Sequence, residues 1–401
     1  MGPLGAQPTP QPNRCEVGQG ARARAHPPRS EAAASAPSFD VVTTPEAFAA
    51  LEPEWRTLWA RLSHTHYHYS QSFDWARRGW ECVARPNGIR IFAVVGRDRG
   101  RAALIWPLMV RRHRAWRTAQ WLGSGTSEYG DVLVEPGPAA PSWLAQAWSI
   151  IRSRSGIDFV RLDHVRPDAA IAALIPEVPG ARSSFARAPY LPLHRWCDWD
   201  DYRRTRSRSF RSNQSRRRRR LAERGSVSFQ LVETPERVAE TLEWIFEQKK
   251  RALERGRLDA AAWFGSAAVH RRFLEAIVGD ARTAGTLALT ALTLDGRIIA
   301  ADLGFRCGDR LESLIATYDP EWAFYSPGRI LLEETVQWCF ARGVRVFDMR
   351  MGDEGYKYDW TSDEVRVGSH LLPCTVWGRA YAAMSDAKRW LEKLRSTRRA
   401  G

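Results

Sequence analysis

Residues 286–360 read TLALTALTLDGRIIAADLGFRCGDRLESLIATYDPEWAFYSPGRILLEETVQWCFARGVRVFDMRMGDEGYKYDW. Thr286–Leu294 is apolar and β-branched, Asp295-Gly296 is a two-residue hairpin turn, and Ile298–Phe305 resumes as a strand with Leu303 and Phe305 on one face. A second turn at Gly308-Asp309 feeds Leu311–Thr317. After the loop Tyr318–Ser326, Pro327-Gly328 opens a helix in which Leu332, Val336, Cys339 and Phe340 recur at i, i+4, i+7 and i+8, with Gly343 at its end. Val344–Met349 follows as a strand. Strand, helix and strand make a right-handed crossover, so the two strands should lie parallel.

A helix that starts at the carboxyl end of a strand aims unpaired N–H groups and the positive end of its dipole at whatever sits there. The turn Ser326-Pro327-Gly328-Arg329 suits an anion: Gly328 lets a phosphate approach the backbone, and Arg329 adds a charge that can fork onto phosphate oxygens. The competing reading is that Pro327-Gly328 only starts a helix.

Three antiparallel strands, this helix start, and the succession Phe347-Asp348, Gly352-Asp353-Glu354-Gly355-Tyr356-Lys357-Tyr358-Asp359-Trp360 resemble the GNAT acyltransferase core. More closely, Tyr325-Ser326-Pro327-Gly328 and the Phe-Asp, Gly-Asp, Tyr-Lys, Trp order resemble the FemAB-like branch, which includes the CelD-like proteins of cellulose and exopolysaccharide biosynthesis. The resemblance is specific over residues 286–360 and looser elsewhere. It implies acyl-CoA as donor, with the pantetheine arm along Leu314, Ile315, Ala316 and Thr317 and the pyrophosphate at Pro327, Gly328, Arg329 and Ile330.

Acyl transfer to an amine needs a held donor, a base, and help for the leaving group. Asp348 and Asp353, at and just past a strand end that faces the cleft, are the expected bases. Asp348 follows the apolar alternation of Val344 and Val346, so its side chain should emerge at the cleft mouth with a raised pKa. Tyr356 could protonate the leaving group and Lys357 could hold an acceptor phosphate or carboxylate. Against these roles, Asp348 and Lys357 could simply pair in the structure.

Upstream, Phe48, Leu51, Trp55, Leu58, Trp59 and Leu62 form an apolar helical stripe, and Arg90–Gly96 and Ala102–Arg111 read as a hairpin. His64, His66 and His68 alternate, but no acid or Cys stands beside them, so a polar loop and no metal are expected. The resemblance reaches Gly123-Ser124-Gly125 and the acidic-aromatic pair Glu128-Tyr129, expected to bind substrate; a tight turn and a buried Tyr would look the same. A helix at Ser142–Ser153 and a strand at Phe159–Leu162 complete a second strand-helix-strand unit. The expected fold is therefore α/β with a mixed sheet: a tail over 1–37, a divergent GNAT-like lobe over 38–195, a basic helix over 196–225, an acyltransferase lobe over 226–380, and an amphipathic helix with a basic tail over 381–401.

From Arg203 to Arg224 there are eleven arginines and one acid, in a chain of 401 residues whose net charge is +15. With no Gly or Pro, the block reads as one long helix. Arg216, Arg217 and Arg220 are expected to meet a polyanion, transfer RNA or anionic lipid headgroups, because five contiguous arginines repel one another unless something neutralises them. A solvated basic face is the plain alternative.

The six cysteines stand far apart with no CxxC pair, and no apolar run of about 18 residues occurs, so a reduced, cytoplasmic protein without a membrane span is expected. GxSxG, P-loop, HExxH and strand-borne GxGxxG motifs are missing, which disfavours hydrolase, nucleotidase and dinucleotide chemistry. The leading expectation is an acyl-CoA:amine N-acyltransferase acting on an amino sugar or polysaccharide precursor. The alternatives are an aminoacyl-tRNA-dependent FemAB-like transferase and a non-catalytic assembly protein.

Overall fold

A computed structural model describes residues 37–62, 68–113, 115–125, 129–154, 156–255 and 267–384. The tail, His64, His66, Glu128 and the segment beyond Met384 lie outside the described residues.

The first half runs β1 (Ser38–Val42), α1 (Pro45–Ala50), α2 (Glu52–Leu62), α3 (Phe73–Gly79), β2 (Arg90–Asp98), β3 (Arg101–His113), β4 (Trp116–Trp121), β5 (Leu133–Val134), α4 (Ala140–Arg154), β6 (Phe159–Val165) and β7 (Arg182–Leu191). Two helices, α5 (Trp199–Thr205) and α6 (Arg208–Ala222), lead onward. The second half runs β8 (Val227–Leu231), α7 (Pro235–Glu254), α8 (Ala267–Val278), β9 (Leu287–Leu294), β10 (Arg297–Cys307), β11 (Arg310–Tyr318), α9 (Pro327–Ala341), β12 (Val346–Asp348), α10 (Gly355–Tyr358) and β13 (Glu364–Pro373).

Local signals account for many of these boundaries. Thr44 caps α1, its hydroxyl accepting from the Ala47 N–H, with Pro45 at the first helical position. Asp295 and Gly296 take φ of 48° and 80°, the left-handed pair that a tight β9–β10 hairpin needs.

The arginine block departs from the single long helix its composition suggests. Arg206 and Ser207 are extended (ψ 151° and 153°), and Ser207 accepts a 3.1 Å bond from the Phe210 N–H. A serine able to cap a new helix interrupts the old one. Nor is α6 arginine on every side: Gln214 and Leu221 are buried, and Phe210 meets Trp360 edge-on at 5.0 Å.

The strands join in one mixed sheet, ordered β1-β2-β3-β4-β6-β13-β7-β12-β11-β10-β9-β8, with β5 on β3. Among the described residues two pairs are parallel, β4 with β6 and β11 with β12, and each is bridged by one main helix, α4 or α9. The halves thus repeat one strand-helix-strand plan. They also exchange strands: β7 of the first half pairs with β12, while β13 of the second half lies between β6 and β7. In the second half apolar layers cover both faces. Phe273, Ile277, Ile245 and Leu289 pack under α7 and α8, and Val336, Cys339, Leu311 and Phe347 pack under α9.

Candidate active site

β11 and β12 stay paired for only three steps, Arg310 to Val346, Leu311 to Phe347 and Glu312 to Asp348. Beyond these, β11 continues to Tyr318 against β10 alone, while the other chain turns away through Arg350, a non-glycine residue at φ 59°. The splay frees the outer backbone edge of β11. A cavity of about 340 Å³ opens there, lined by Ser313, Ala316 and Thr317 of β11, Gly328 and Arg329 of α9, and Phe347 and Met349 beyond β12. Leu314 and Ile315 instead line a separate cavity, together with Tyr129.

The start of α9 is built for close approach. Ser326 holds φ 55°, turning the chain so that Pro327 begins the helix. A Cβ on Gly328 would lie 3.5 Å from the Tyr318 ring, an ordinary contact, so packing does not demand glycine and its bare backbone faces the cavity. Ile330 is buried in the core rather than placed in the cavity. Arg329 pairs with Asp359. Arg217 of α6 lies close by: its pKa is pushed down by burial and then by the like charge of Arg329. Neighbouring cations of this kind create a potential that attracts an anion. Arg216 and Arg220 are exposed, Arg220 lying over the exposed ring of Phe324.

Asp302, on β10, is the carboxylate in this cavity. It is 7% exposed, and burial raises its pKa to about 6 against the Ser313 hydrogen bond and the attraction of Lys249. Tyr356, on α10, lines the same cavity. The residue as a whole is 37% exposed, yet the protein packed round its hydroxyl, then Glu354 and Asp302, push that hydroxyl above the usual tyrosine range. A carboxyl poised near neutrality beside a phenol held protonated is a base and acid pair in form. The signal in the sequence was a lone acid inside the apolar run Ile298–Phe305.

Asp348 does not emerge at the cleft mouth. It is fully buried and accepts from Tyr129 Oη (3.0 Å), Arg310 (2.9 Å), Arg166 (3.3 Å) and the Arg350 N–H (2.8 Å). The expectation failed because strand alternation fixes a face but not what covers it, and here cations from both halves do. Glu312 belongs to the same cluster, bonded to His68 Nδ1. Burial pushes the Glu312 carboxyl up, yet His68, Arg350 and Arg310 hold it at about 2. His68 stands in irregular chain just before Tyr69, as a loop residue, and is buried there as the partner of a carboxylate.

Lys357 is also buried, donating to the carbonyls of Arg350, Met351 and Gly352 and pairing with Glu354, so it holds the turn after β12 and not an acceptor. It does not pair with Asp348. Asp353 is exposed on that turn. Among the described residues no group of three or more His, Cys, Asp or Glu is placed to hold a metal, and no helix is long and apolar enough to cross a membrane.

Residues 208–358 match the family model for an acetyltransferase (GNAT) domain. Similar solved structures include FemX, at 11% identity and TM-score 0.54, covering 82% of this chain and 96% of that one. Another is a conserved protein of unknown function from Bacteroides thetaiotaomicron VPI-5482, at 10% identity and TM-score 0.53, covering 83% and 100%. A third is a tandem GNAT protein from the clavulanic acid biosynthesis pathway, at 15% identity and TM-score 0.47, covering 84% and 99%. No curated protein matches the chain. With the splayed strands and the helix start inside the matched segment, residues 208–358 are similar to a GNAT acetyltransferase domain, and this similarity supports an acyltransferase.

Proposed function

We propose that the chain moves an acyl group, acetyl or longer, from acyl-CoA to the amine of an amino sugar or polysaccharide precursor, as the CelD-like branch of the FemAB-like proteins implies. The observation that carries this reading is the cavity between β11 and β12, which joins a bare helix start, Arg329 and a titrating carboxyl, with Arg217 near enough to feel the charge of Arg329. The donor's pantetheine arm would lie along Ala316 and Thr317, and its phosphates at Pro327–Arg329 with Arg217. The amine nitrogen attacks the thioester carbonyl, forming a C–N bond, and collapse of the adduct breaks C–S. Asp302 takes the proton released by nitrogen, Tyr356 gives one to the departing sulfur, and the proton on Asp302 restores Tyr356. Asp348 and Lys357 support the site rather than react in it.

The lobe over 38–195 would serve the acceptor and that over 226–380 the donor, since the start of α4 follows Gly137-Pro138-Ala139 and carries no arginine. Calorimetric titration with acetyl-CoA is the test, with release of free coenzyme A when a surrogate amino sugar is added. Failure of acetyl-CoA to bind overturns the proposal.

One observation favours a second reading. The exposed arginines of α6, among them Arg216, Arg219 and Arg220, face solvent beside the donor cavity, and an aminoacyl-tRNA donor would meet them. Bulk transfer RNA titrated from low to high salt decides: a steep loss of affinity, flattened by Arg216→Gln with Arg220→Gln, supports the RNA donor.

A further inference from the structure

Residues 376–384 form a helix after β13, and one of its faces is tied to the sheet. The Asp158 carbonyl accepts a 2.8 Å bond from the Cys374 N–H, and the Asp158 carboxylate accepts a 3.1 Å bond from the Thr375 hydroxyl. That hydroxyl accepts in turn from the Gly378 N–H at 3.0 Å. Gly378 is buried, and a Cβ there would lie 1.9 Å from the Asp158 carbonyl oxygen, so only glycine lets the helix come this close. Tyr381 and Ala382 follow at i+3 and i+4 on the same side. Tyr381 stacks on Phe159 with centroids 4.3 Å apart, and Ala382 is buried.

With that side held down, the opposite one points to solvent. It carries Val376, Trp377, Ala380 and Met384, all exposed, the three large ones at 74%, 69% and 55%. A surface helix ordinarily turns its apolar stripe to the core; this one turns it outward. Single apolar residues on a surface need no explanation, but three large ones on one helix make a contact surface. The sequence extends the stripe: Trp377, Ala380, Met384, Ala387, Leu391 and Leu394 fall at steps of three and four. Beyond Met384 it also carries six basic residues, from Lys388 to Arg399, against Asp386 and Glu392.

The two features suit one partner. Tryptophan with apolar neighbours fits the boundary between headgroups and acyl chains, and basic residues beside it attract anionic lipid. Among the described residues no helix is long and apolar enough to cross a bilayer, so this one would lie on its surface. A second copy of the chain is a poorer match, because two basic termini would meet across the seam.

We infer that the outward face of residues 376–384 docks on a membrane, and that the membrane is anionic: Val376, Trp377 and Met384 enter the interface, and the basic sequence after them meets the headgroups. The inference is independent of the acyl-CoA reading.

The test is flotation of the full chain with vesicles of phosphatidylcholine alone and of phosphatidylcholine with about one quarter phosphatidylglycerol. The mixed vesicles should bind the parent at least about tenfold better, and salt should erode that preference. Val376→Ser with Trp377→Ser should lower the partition by about tenfold or more at an unchanged melting temperature, while Trp377→Phe keeps most of it. Ala380→Leu, which enlarges the same face, should raise it. Lys388→Gln with Arg389→Gln should reduce the preference for the mixed vesicles. The arginines of α6 could also meet anionic lipid, so Arg216→Gln with Arg220→Gln is floated beside these and should cost less than the serine pair. Absent binding to the mixed vesicles, parental binding by the serine pair, or binding lost only in the α6 variant overturns the proposal. So does a lipid-free dimer, seen by light scattering, that the serine pair dissociates, since a second copy would then occupy the face.

Discussion

The Ser313 hydroxyl donates a 2.8 Å hydrogen bond to the Asp302 carboxylate, from β11 to the neighbouring β10, in the wall of the donor cavity. The bond stabilises the charged form, and burial opposes it more strongly, so the carboxyl titrates at about 6. A base must be deprotonated to act, so kcat/KM should rise with pH through about 6. Asp302→Asn should lower turnover by about 10²–10⁴ and remove that limb, with acetyl-CoA affinity retained. A folded Asp302→Asn variant with the parent's rate and pH profile would exclude the assignment.

The same residue makes a stability prediction of opposite sense. Its folded pKa is raised above the unfolded value, so its contribution is present at low pH and is lost as pH rises from about 4 through about 6. The loss is about 3 kcal/mol at 1.36 kcal/mol per unit. Asp302→Asn should therefore match the parent in urea unfolding at pH 4 and exceed it at pH 8, less the weaker Ser313 bond. Equal midpoints at pH 8 would show that the ionised carboxylate costs nothing.

Asp348→Asn should act on the fold. Removing one charge from a buried cluster takes from Arg310 its ion-pair partner and leaves Arg166 with Asp168 alone, a cost of about 3–5 kcal/mol. The expected result is a lower denaturation midpoint with any residual activity keeping the parent's pH profile. Unchanged stability together with a lost acid limb would return the base to Asp348.

Donor binding should depend on the start of α9. Arg329→Ala and Arg217→Gln should each weaken acetyl-CoA binding by about 1–3 kcal/mol, as for charge-assisted bonds. Gly328→Val should block it, because the side chain would fill the approach to the helix start. Isothermal titration of the three variants, each checked by a melting curve, is the measurement; parental affinity in all of them would put the phosphates elsewhere.

Local chemistry sufficed for the core of the second half. Period-two apolar runs, the Asp295-Gly296 turn and Pro327 placed β9, β10, β11 and α9 close to their observed bounds, because each signal acts within a few residues. Those signals also led to the family resemblance and to Gly328 and Arg329 at the cavity. What they could not decide was partnership over long distance. β13 pairs with β7 across nearly half the chain, and nothing in either strand names the other. The same limit explains Asp348 and Asp302. Alternation put both on strands, but only the folded chain surrounds Asp348 with arginines from both halves and leaves Asp302 lining a cavity with one hydroxyl and the charge of Lys249 to act on it. A carboxylate's role depends on its charge neighbours and its access to water, and tertiary packing sets both.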